Sequence, residues 1–402
     1  MLLHKSVEFD SRVRREAGAL ARAGHEVTVL ELAAAAPEEW LDGFARRSIQ
    51  PPPWTRRRLP FHLYRIAFLI GFVRALVRLK PDAVHAHDAA MLLPGIVGAR
   101  LTGARLVYDS HELATSVPYR ERAWAWFVSL IEHLVVPRCA AVITVSDGIA
   151  RRLRVRYQLS IDPTVVRNVS ALELRGEGGL RRRIGLDART PLVLHQGAPA
   201  PARGCEELIE AIAGLEGVHL AFLGDAEPRY REHLRAVLRR TNLEDRVTLL
   251  PGVPLAELLA HTAEADIGIT LLQDTCENHR LALPNKLFEY IAAGVPVVAS
   301  ALPEIQLLVE GYGVGWCVPP DEPDTLARTL DRALAHRHDQ ALQERLRLAA
   351  DELCWSREQH RLLDLYERLA GTRTSPTVHV ESPAATSVEQ RSAASDYQAV
   401  RA

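Results

Sequence analysis

Cysteine is scarce in this 402-residue chain: Cys139, Cys205, Cys276, Cys317 and Cys354 are scattered and form no CxxC pair. That excludes a cysteine zinc site, and the odd number reads as reduced thiols of a cytoplasmic protein rather than a disulfide framework. A surplus of one charge is also missing. With 49 basic and 50 acidic residues the net charge is −1, which removes the electrostatic basis of a general nucleic-acid binder. There is no clean membrane span, because the apolar stretch Phe61–Leu79 is interrupted by Arg65, Arg74 and Arg78. The start, Met1-Leu2-Leu3-His4-Lys5, has no apolar core behind it and does not read as a signal peptide. Three catalytic signatures are absent: the Gly-x-Ser-x-Gly elbow, the P-loop lysine, and Gly-x-Gly-x-x-Gly after the first strand. Hydrolase, phosphotransferase and dehydrogenase readings therefore lose ground.

What the chain does have is strand-like apolar runs alternating with helical patterns, the mark of βαβ units and parallel sheets. At this length two domains are expected. The break in the alternation, rich in Gly and Arg, divides the chain into a first domain over 1–172, a linker over 173–190 and a second domain over 191–355. A helix over 356–370 and a disordered tail over 371–402, rich in Ser, Thr, Ala and Pro, follow. The fold class is α/β, with two Rossmann-like doubly wound sheets facing a cleft at their strand carboxyl ends. The first strand, at Leu2–His4, reads as clipped or absent, and the strand at Asp82–His85 as ending there.

The most informative segment runs from Leu283 to Ser300. Pro284 and Asn285 open a helix, Gly294 ends it, and an apolar strand follows at once. Lys286 and Glu289 are three apart and share a face. The first-turn amides, at Asn285, Lys286 and Leu287, are placed to hold an anion. A cation with free amides suits a diphosphate, and a carboxylate one turn later suits ribose hydroxyls. Upstream, Gly197 ends a strand and Arg203-Gly204 precedes a helix, giving close backbone approach and a forked donor; a solvated surface charge is the alternative for Arg203. Asp225, in Leu223-Gly224-Asp225, is either a helix cap or part of the same edge, and Glu304 caps or lines the following turn.

The first half offers an acceptor side. His85-Ala86-His87-Asp88 ends one strand and Tyr108-Asp109-Ser110-His111-Glu112 the next. His111, Asp88 and Glu112 are the candidate catalytic residues, with His111 placed to bond a sugar hydroxyl or a leaving phosphate. A loop-ordering His–Asp pair is the alternative. No metal site is expected, because no Cys or third His sits at ligand spacing. Residues 46–80, with Arg46-Arg47, Trp54, Arg56-Arg57-Arg58, Tyr64, Phe68 and Phe72, form a basic, aromatic-bearing stretch. Its helix fits either peripheral contact with the inner face of the membrane or a core position.

Taken together, these pieces resemble the retaining glycosyltransferase family 4 with the GT-B fold, over about Asp10 to Ala370. The order of Asp10-Ser11-Arg12-Val13, Ala23-Gly24-His25-Glu26-Val27, Asp82–Asp88, Tyr108–Glu112, Val145-Ser146, Arg203-Gly204, Leu223-Gly224-Asp225 and Asn285–Val298 carries the resemblance. It implies sugar transfer from a nucleoside-diphosphate-sugar to a polysaccharide, glycolipid or small-molecule acceptor. It also implies no cofactor and no obligatory metal, cations and helix amides taking the metal's place. Arg203 matches a phosphate-binding lysine, Glu289 the ribose-holding second Glu of a paired motif, and the last helix would cross back to the first domain. Two departures stand out: the first Glu falls at Leu281, with Glu277 or Asn278 as substitutes, and Ala198 replaces a common Arg. Two rival readings remain on the same scaffold: a sugar-nucleotide epimerase and a non-catalytic nucleotide-binding or partner protein.

Overall fold

The computed structural model describes residues 1–32, 39–49, 61–116, 122–171, 176, 178–320, 322 and 324–371. Trp54, Arg56, Arg57 and Arg58, the side chain of Tyr64 and the tail from Thr372 lie outside them.

The first domain runs β1 (Leu2–Leu3), α1 (Ser11–Arg22), β2 (Thr28–Glu31), β3 (Glu39–Leu41), β4 (Phe44–Ser48) and α2 (Phe61–Leu79). It continues β5 (Ala83–His87), α3 (Leu92–Thr102), β6 (Arg105–Ser110), α4 (Arg122–Val135), β7 (Ala141–Thr144), α5 (Asp147–Tyr157) and β8 (Thr164–Val165). Its sheet order is β3-β4-β2-β1-β5-β6-β7-β8, parallel except for the β3–β4 hairpin.

The second domain runs α6 (Leu180–Arg183), β9 (Leu192–Gln196), α7 (Cys205–Ala213), β10 (His219–Leu223), α8 (Pro228–Thr241), β11 (Val247–Leu250), α9 (Leu258–Thr262) and β12 (Ile267–Thr270). Then come α10 (Glu277–Leu281), α11 (Asn285–Ala292), β13 (Val297–Ser300), α12 (Pro303–Tyr312), β14 (Gly315–Val318), α13 (Asp324–His336), α14 (Gln340–Glu352) and α15 (Trp355–Gly371). The sheet is parallel throughout, in the order β11-β10-β9-β12-β13-β14. β9, β10, β12 and β13 are covered on both faces, so they read as continuous runs such as Val297-Val298-Ala299 rather than alternating ones.

In both sheets the strand order reverses beside a central strand, at β1/β5 and at β9/β12, which opens a crevice at the carboxyl ends. Local signals set the elements that border it. The Asp10 carboxylate accepts from the Val13 amide to start α1, and Ser146 caps α5 through the Ile149 amide.

Several sequence expectations are corrected. The first strand is not absent but clipped, one of the two alternatives above: Leu2 pairs with Leu30 on one side and Ala86 on the other, so two residues suffice to join β2 to β5. β5 runs on to His87, which puts His85 and His87 on one face. The second half of the 173–190 stretch is not plain linker. Leu180 is fully buried, and Arg181 donates to the Glu264 carbonyl and pairs with Asp266 at 2.7 Å. Within 46–80, Phe72 and Leu76 face the core, and Arg46 is buried between Glu31 and Glu8. Those groups therefore take the core alternative rather than the membrane-facing one. Among the described residues no helix is long and apolar enough to cross a membrane.

The domains meet on both sides of the crevice. Leu281 packs against the first domain's core, and its carbonyl accepts from Ser146 Oγ at 2.6 Å. Asn278 Oδ1 accepts from the Leu113 amide at 2.9 Å, and Glu277 pairs with Arg152 at 2.8 Å. Glu304, buried in the crossing, pairs with Arg151 at 2.8 Å. On the far side α15 returns to β8, where Glu358 accepts from the Arg167 amide.

Candidate functional site

On the second-domain wall, Tyr290 fixes α11 beneath the sheet. Its hydroxyl donates toward the carbonyls of Leu194 and Ile269 and accepts from the Gln196 amide. A Cβ on Gly268 would lie 2.4 Å from the Tyr290 ring, so this anchor requires glycine there. Tethered in this way, α11 brings Lys286 to the end of β9. Lys286 Nζ lies 3.2 Å from His195 Nε2, and a Cβ on Gly197 (φ +87°) would touch Lys286 Cε at 3.9 Å. Burial, with Arg203 adding to it, lowers the Lys286 ammonium to about 7. Burial, Lys286 and Arg203 hold His195 well below the usual imidazole range, so His195 is neutral and accepts from the lysine. Among the described residues no carboxylate comes within ion-pair distance of Lys286 or Arg203.

Backbone strain marks the same edge. Gly204 adopts φ +65°, and its added Cβ would meet Leu271 at 2.5 Å. Ala202 is left-handed as well, at φ +61°. A non-glycine residue there is uncommon and held only by its surroundings. The Leu287 amide is already used by the Pro284 carbonyl and its side chain is core, so Leu287 is a correction. The amides of Asn285 and Lys286 are the first-turn groups without a backbone acceptor among the described residues. Glu289 accepts from Gln196 Nε2, and Gln196 Oε1 in turn accepts from Thr262 Oγ1 at 2.5 Å. Burial raises the Glu289 carboxyl, while Arg15 from α1 opposes that rise across the crevice.

Asp225 does not cap α8, since Glu227 does so through the Tyr230 amide. Asp225 is 74% exposed and accepts from the Gly252 amide. Neither substitute for the first Glu is aimed at a sugar, because Glu277 and Asn278 are both spent on the domain crossing.

On the first-domain wall, the Asp109 carboxylate is the hub. Arg12 donates to both its oxygens, at 2.8 and 2.9 Å. His111 Nε2 lies 3.1 Å from Asp109 Oδ2, and His87 Nδ1 lies 3.3 Å from it. His111 Nδ1 is 3.4 Å from Asp88 Oδ1. Burial depresses the His111 imidazole, but Asp109 and Asp88 outweigh it and raise the ring to about 9. Burial opposes charge on Asp109 too, yet Arg12 and His111 keep it well below the usual carboxylate range. Asp88 sits at φ 62°, ψ 160°, a backbone region that disfavours a side chain. Glu112 presents its carbonyl to Ser110 Oγ at 2.8 Å.

Glu16, His85, His87 and Asp109 bring ligand-type atoms within 4.8 Å of one another. The Arg12 guanidinium lies among them, 3.0 Å from Glu16 Oε1 and 2.8 Å from Asp109 Oδ2. A divalent cation would sit against that fixed positive charge, so the donor set fits a buried ion-pair network better than a metal centre. Arg12 and Asp109 lay inside recognised sequence segments, but their partnership across 97 positions left no local signal. His195, Gln196 and Arg15 were missed outright, since each belongs to an ordinary strand or helix pattern.

The chain matches the model of Glycosyltransferase Family 4 over residues 11–169 and that of Glycosyl transferases group 1 over 190–336. It is 29% identical over 198 residues to the D-inositol 3-phosphate glycosyltransferase of Xylanimonas cellulosilytica, covering 48% of this chain and 46% of that one. With the probable glycosyltransferase WbjE of Pseudomonas aeruginosa it shares 29% over 32% of each chain. The chain thus spans about half or less of the length of these curated relatives. A longer match, 25% over 89% of each chain, is to the D-inositol 3-phosphate glycosyltransferase of Kineococcus radiotolerans. Among solved structures, sucrose-phosphate synthase from Thermosynechococcus elongatus superimposes with a TM-score of 0.74 at 22% identity, covering 92% of this chain and 99% of that one. HepE of Anabaena, solved in complex with UDP-glucose, gives 0.70 at 17%, covering 92% and 98%. Two parallel-sheet domains around a crevice, matched half by half to these two models, place the chain in the family 4 glycosyltransferases of GT-B fold.

Proposed function

We propose that this glycosyltransferase moves a sugar, with retention at the anomeric carbon, from a nucleoside-diphosphate-sugar to a polysaccharide, glycolipid or small-molecule acceptor. The observation that carries this reading is the pair of cations without carboxylate partners, Lys286 and Arg203, gathered with the Asn285 and Lys286 amides where β9 ends. A buried cation without a counterion is costly, and an incoming diphosphate supplies one. Glu289, one turn on, suits the ribose hydroxyls. The bound UDP-glucose of HepE, a protein of the same fold, is consistent with such a donor.

In the reaction, the acceptor hydroxyl oxygen bonds to the anomeric carbon as the bond to the diphosphate oxygen breaks. The leaving phosphate takes the hydroxyl proton. Lys286, Arg203 and the helix amides neutralise the charge that develops on it, which is the largest contribution asked of the protein. His111, an imidazolium below pH of about 9, orients the sugar beside Asp88 and is not needed as a base. In this reading no metal is required, because the fixed cations do its electrostatic work, and closure of the crevice keeps water from the donor.

A thermal-shift screen over UDP-, GDP-, ADP- and dTDP-sugars tests the donor class, since only a true ligand raises the melting temperature by mass action. No shift with any of them would sink the reading. Transfer assays with chelator present, and the anomeric configuration of the product by NMR, test metal independence and retention. An isomerised sugar nucleotide from donor alone would replace the transferase reading with an epimerase one.

A further inference from the structure

The returning helix α15 does more than tie the two domains together. It carries Tyr366 to the first-domain wall, where the hydroxyl lies 3.0 Å from His85 Nδ1. Burial raises the Tyr366 phenol far above its ordinary range, with Glu16 and Asp109 adding to it. The phenol therefore keeps its proton, and the direction of this bond depends on the His85 tautomer. Burial and His87 keep His85 neutral. A neutral imidazole that accepts at Nδ1 carries its proton at Nε2. That nitrogen faces Asp109 Oδ2 at 3.9 Å, a carboxylate that Arg12 and His111 keep charged, so a proton is favoured there and a lone pair is not. His85 stacks on His87 with ring centroids 4.2 Å apart, and His87 Nδ1 is 3.3 Å from His111 Nε2. The row Tyr366–His85–His87–His111 thus runs without a gap from the last helix to the candidate acceptor side.

We propose that Tyr366 is a positioning residue for His111: its hydroxyl fixes the His85 tautomer, and the His85–His87 stack holds His111 between Asp109 and Asp88. This rests on the role given to His111 above. The row couples sugar orientation to the seating of α15, and hence to the arrangement of the two domains. The groups facing it are Arg12 and Glu16 from α1, Asp10 at its start, Asp109 from β6, Asp88 after β5, the Met1 ammonium and His4 on either side of β1, and His25, whose ring meets Tyr366. Of these, Asp88, His4 and His25 are solvent-accessible, so the buried members cannot re-solvate when one bond is lost.

The test uses the full chain with Tyr366→Phe, which keeps the ring against His25 and His85 and removes only the hydroxyl. Leaving one buried acceptor unpaired is expected to lower kcat about 5- to 20-fold, with the donor KM unchanged. The His111 titration, followed by NMR of the imidazole in protein without donor, is expected to shift by about half a unit or more. In a double-mutant cycle with His111→Gln the two losses should not add. Unchanged kcat and an unmoved His111 titration in Tyr366→Phe would overturn the proposal while leaving the site reading intact, provided His111→Gln is slow. Strictly additive losses would also overturn it, since Tyr366 would then act only through general stability. Wild-type turnover in His111→Gln would remove the reading itself, and this proposal with it.

Discussion

The two walls of the crevice solve opposite electrostatic problems. On the first-domain side the Arg12 guanidinium and the His111 ring each meet a carboxylate: Asp109 takes both and Asp88 takes His111 again. On the second-domain side Lys286 leans on a neutral histidine, with Arg203 adding like charge. A wall whose charges are paired, Arg15 with its Nε unpartnered among the described residues excepted, holds its shape and can position a neutral sugar. Where charges are left unpaired, binding energy is stored for an anion, and the free protein bears the cost of keeping the site ready.

The largest effect expected from this contrast is on the paired wall. Asp109→Asn leaves Arg12 and His111 buried with one counter-charge fewer, which should cost about 3–5 kcal/mol of folding stability. Urea unfolding measures it, and a loss below about 1 kcal/mol would mean the wall is not built on this carboxylate. Lys286→Ala should behave in the reverse way. Turnover with the intact donor falls about 10²-fold, while the melting temperature holds or rises because an uncompensated buried ammonium has gone. Wild-type turnover in that variant would remove the distinction between the walls.

The contrast was only half legible in the sequence. The unpaired wall was readable because its parts are local: Pro284, Asn285, Lys286 and Glu289 lie within two turns of one helix, and Gly197 marks a strand end. On the paired wall Asp88 and His111 were readable as strand-end residues but their pairing was not, because the wall's bonds join α1, β5, β6 and the returning α15, separated by up to 281 positions. Leu281 was visible as a departure, but its consequence needed the structure, where it is a domain contact with Ser146. The α/β alternation gave most elements, but at β1, whose two residues carry no periodicity, it left a clipped strand and no strand as alternatives. It failed at the β3–β4 hairpin, an antiparallel addition on the sheet edge where βαβ logic does not apply.

A milder way to sharpen the comparison is pH. In the free protein Lys286 loses its proton near pH 7, and a bound diphosphate favours the charged form. The sign follows from linkage: the folded, unliganded pKa is below the liganded one, so affinity is fullest below about 7. Above that, the dissociation constant of the donor should rise up to tenfold per pH unit until the liganded pKa is reached. His111, with its pKa raised to about 9 from an ordinary 6.5, contributes stability that is complete below about 6.5 and lost as pH rises through about 9. Calorimetric titration of the donor at pH 6, 7, 8 and 9 therefore separates the walls: a flat affinity across that range would mean that Lys286 is not the group that grips.

The smallest effect marks where the unpaired wall ends. Asp225 stands at the carboxyl end of β10, beside the Gly197–Gly224 approach, where an added Cβ on Gly224 would fall 2.4 Å from Gly197. By position it belongs to the donor edge. By environment it does not: it is 74% exposed, and its pairing with Arg231 is long at 3.7 Å. An exposed carboxylate near a cationic pocket is screened by water and contributes a few tenths of a kcal/mol either way. Asp225→Ala should therefore change donor affinity less than about twofold and leave the pH profile of Lys286 in place. A tenfold loss would instead extend the binding wall to β10 and give that carboxylate a ligand hydroxyl to hold.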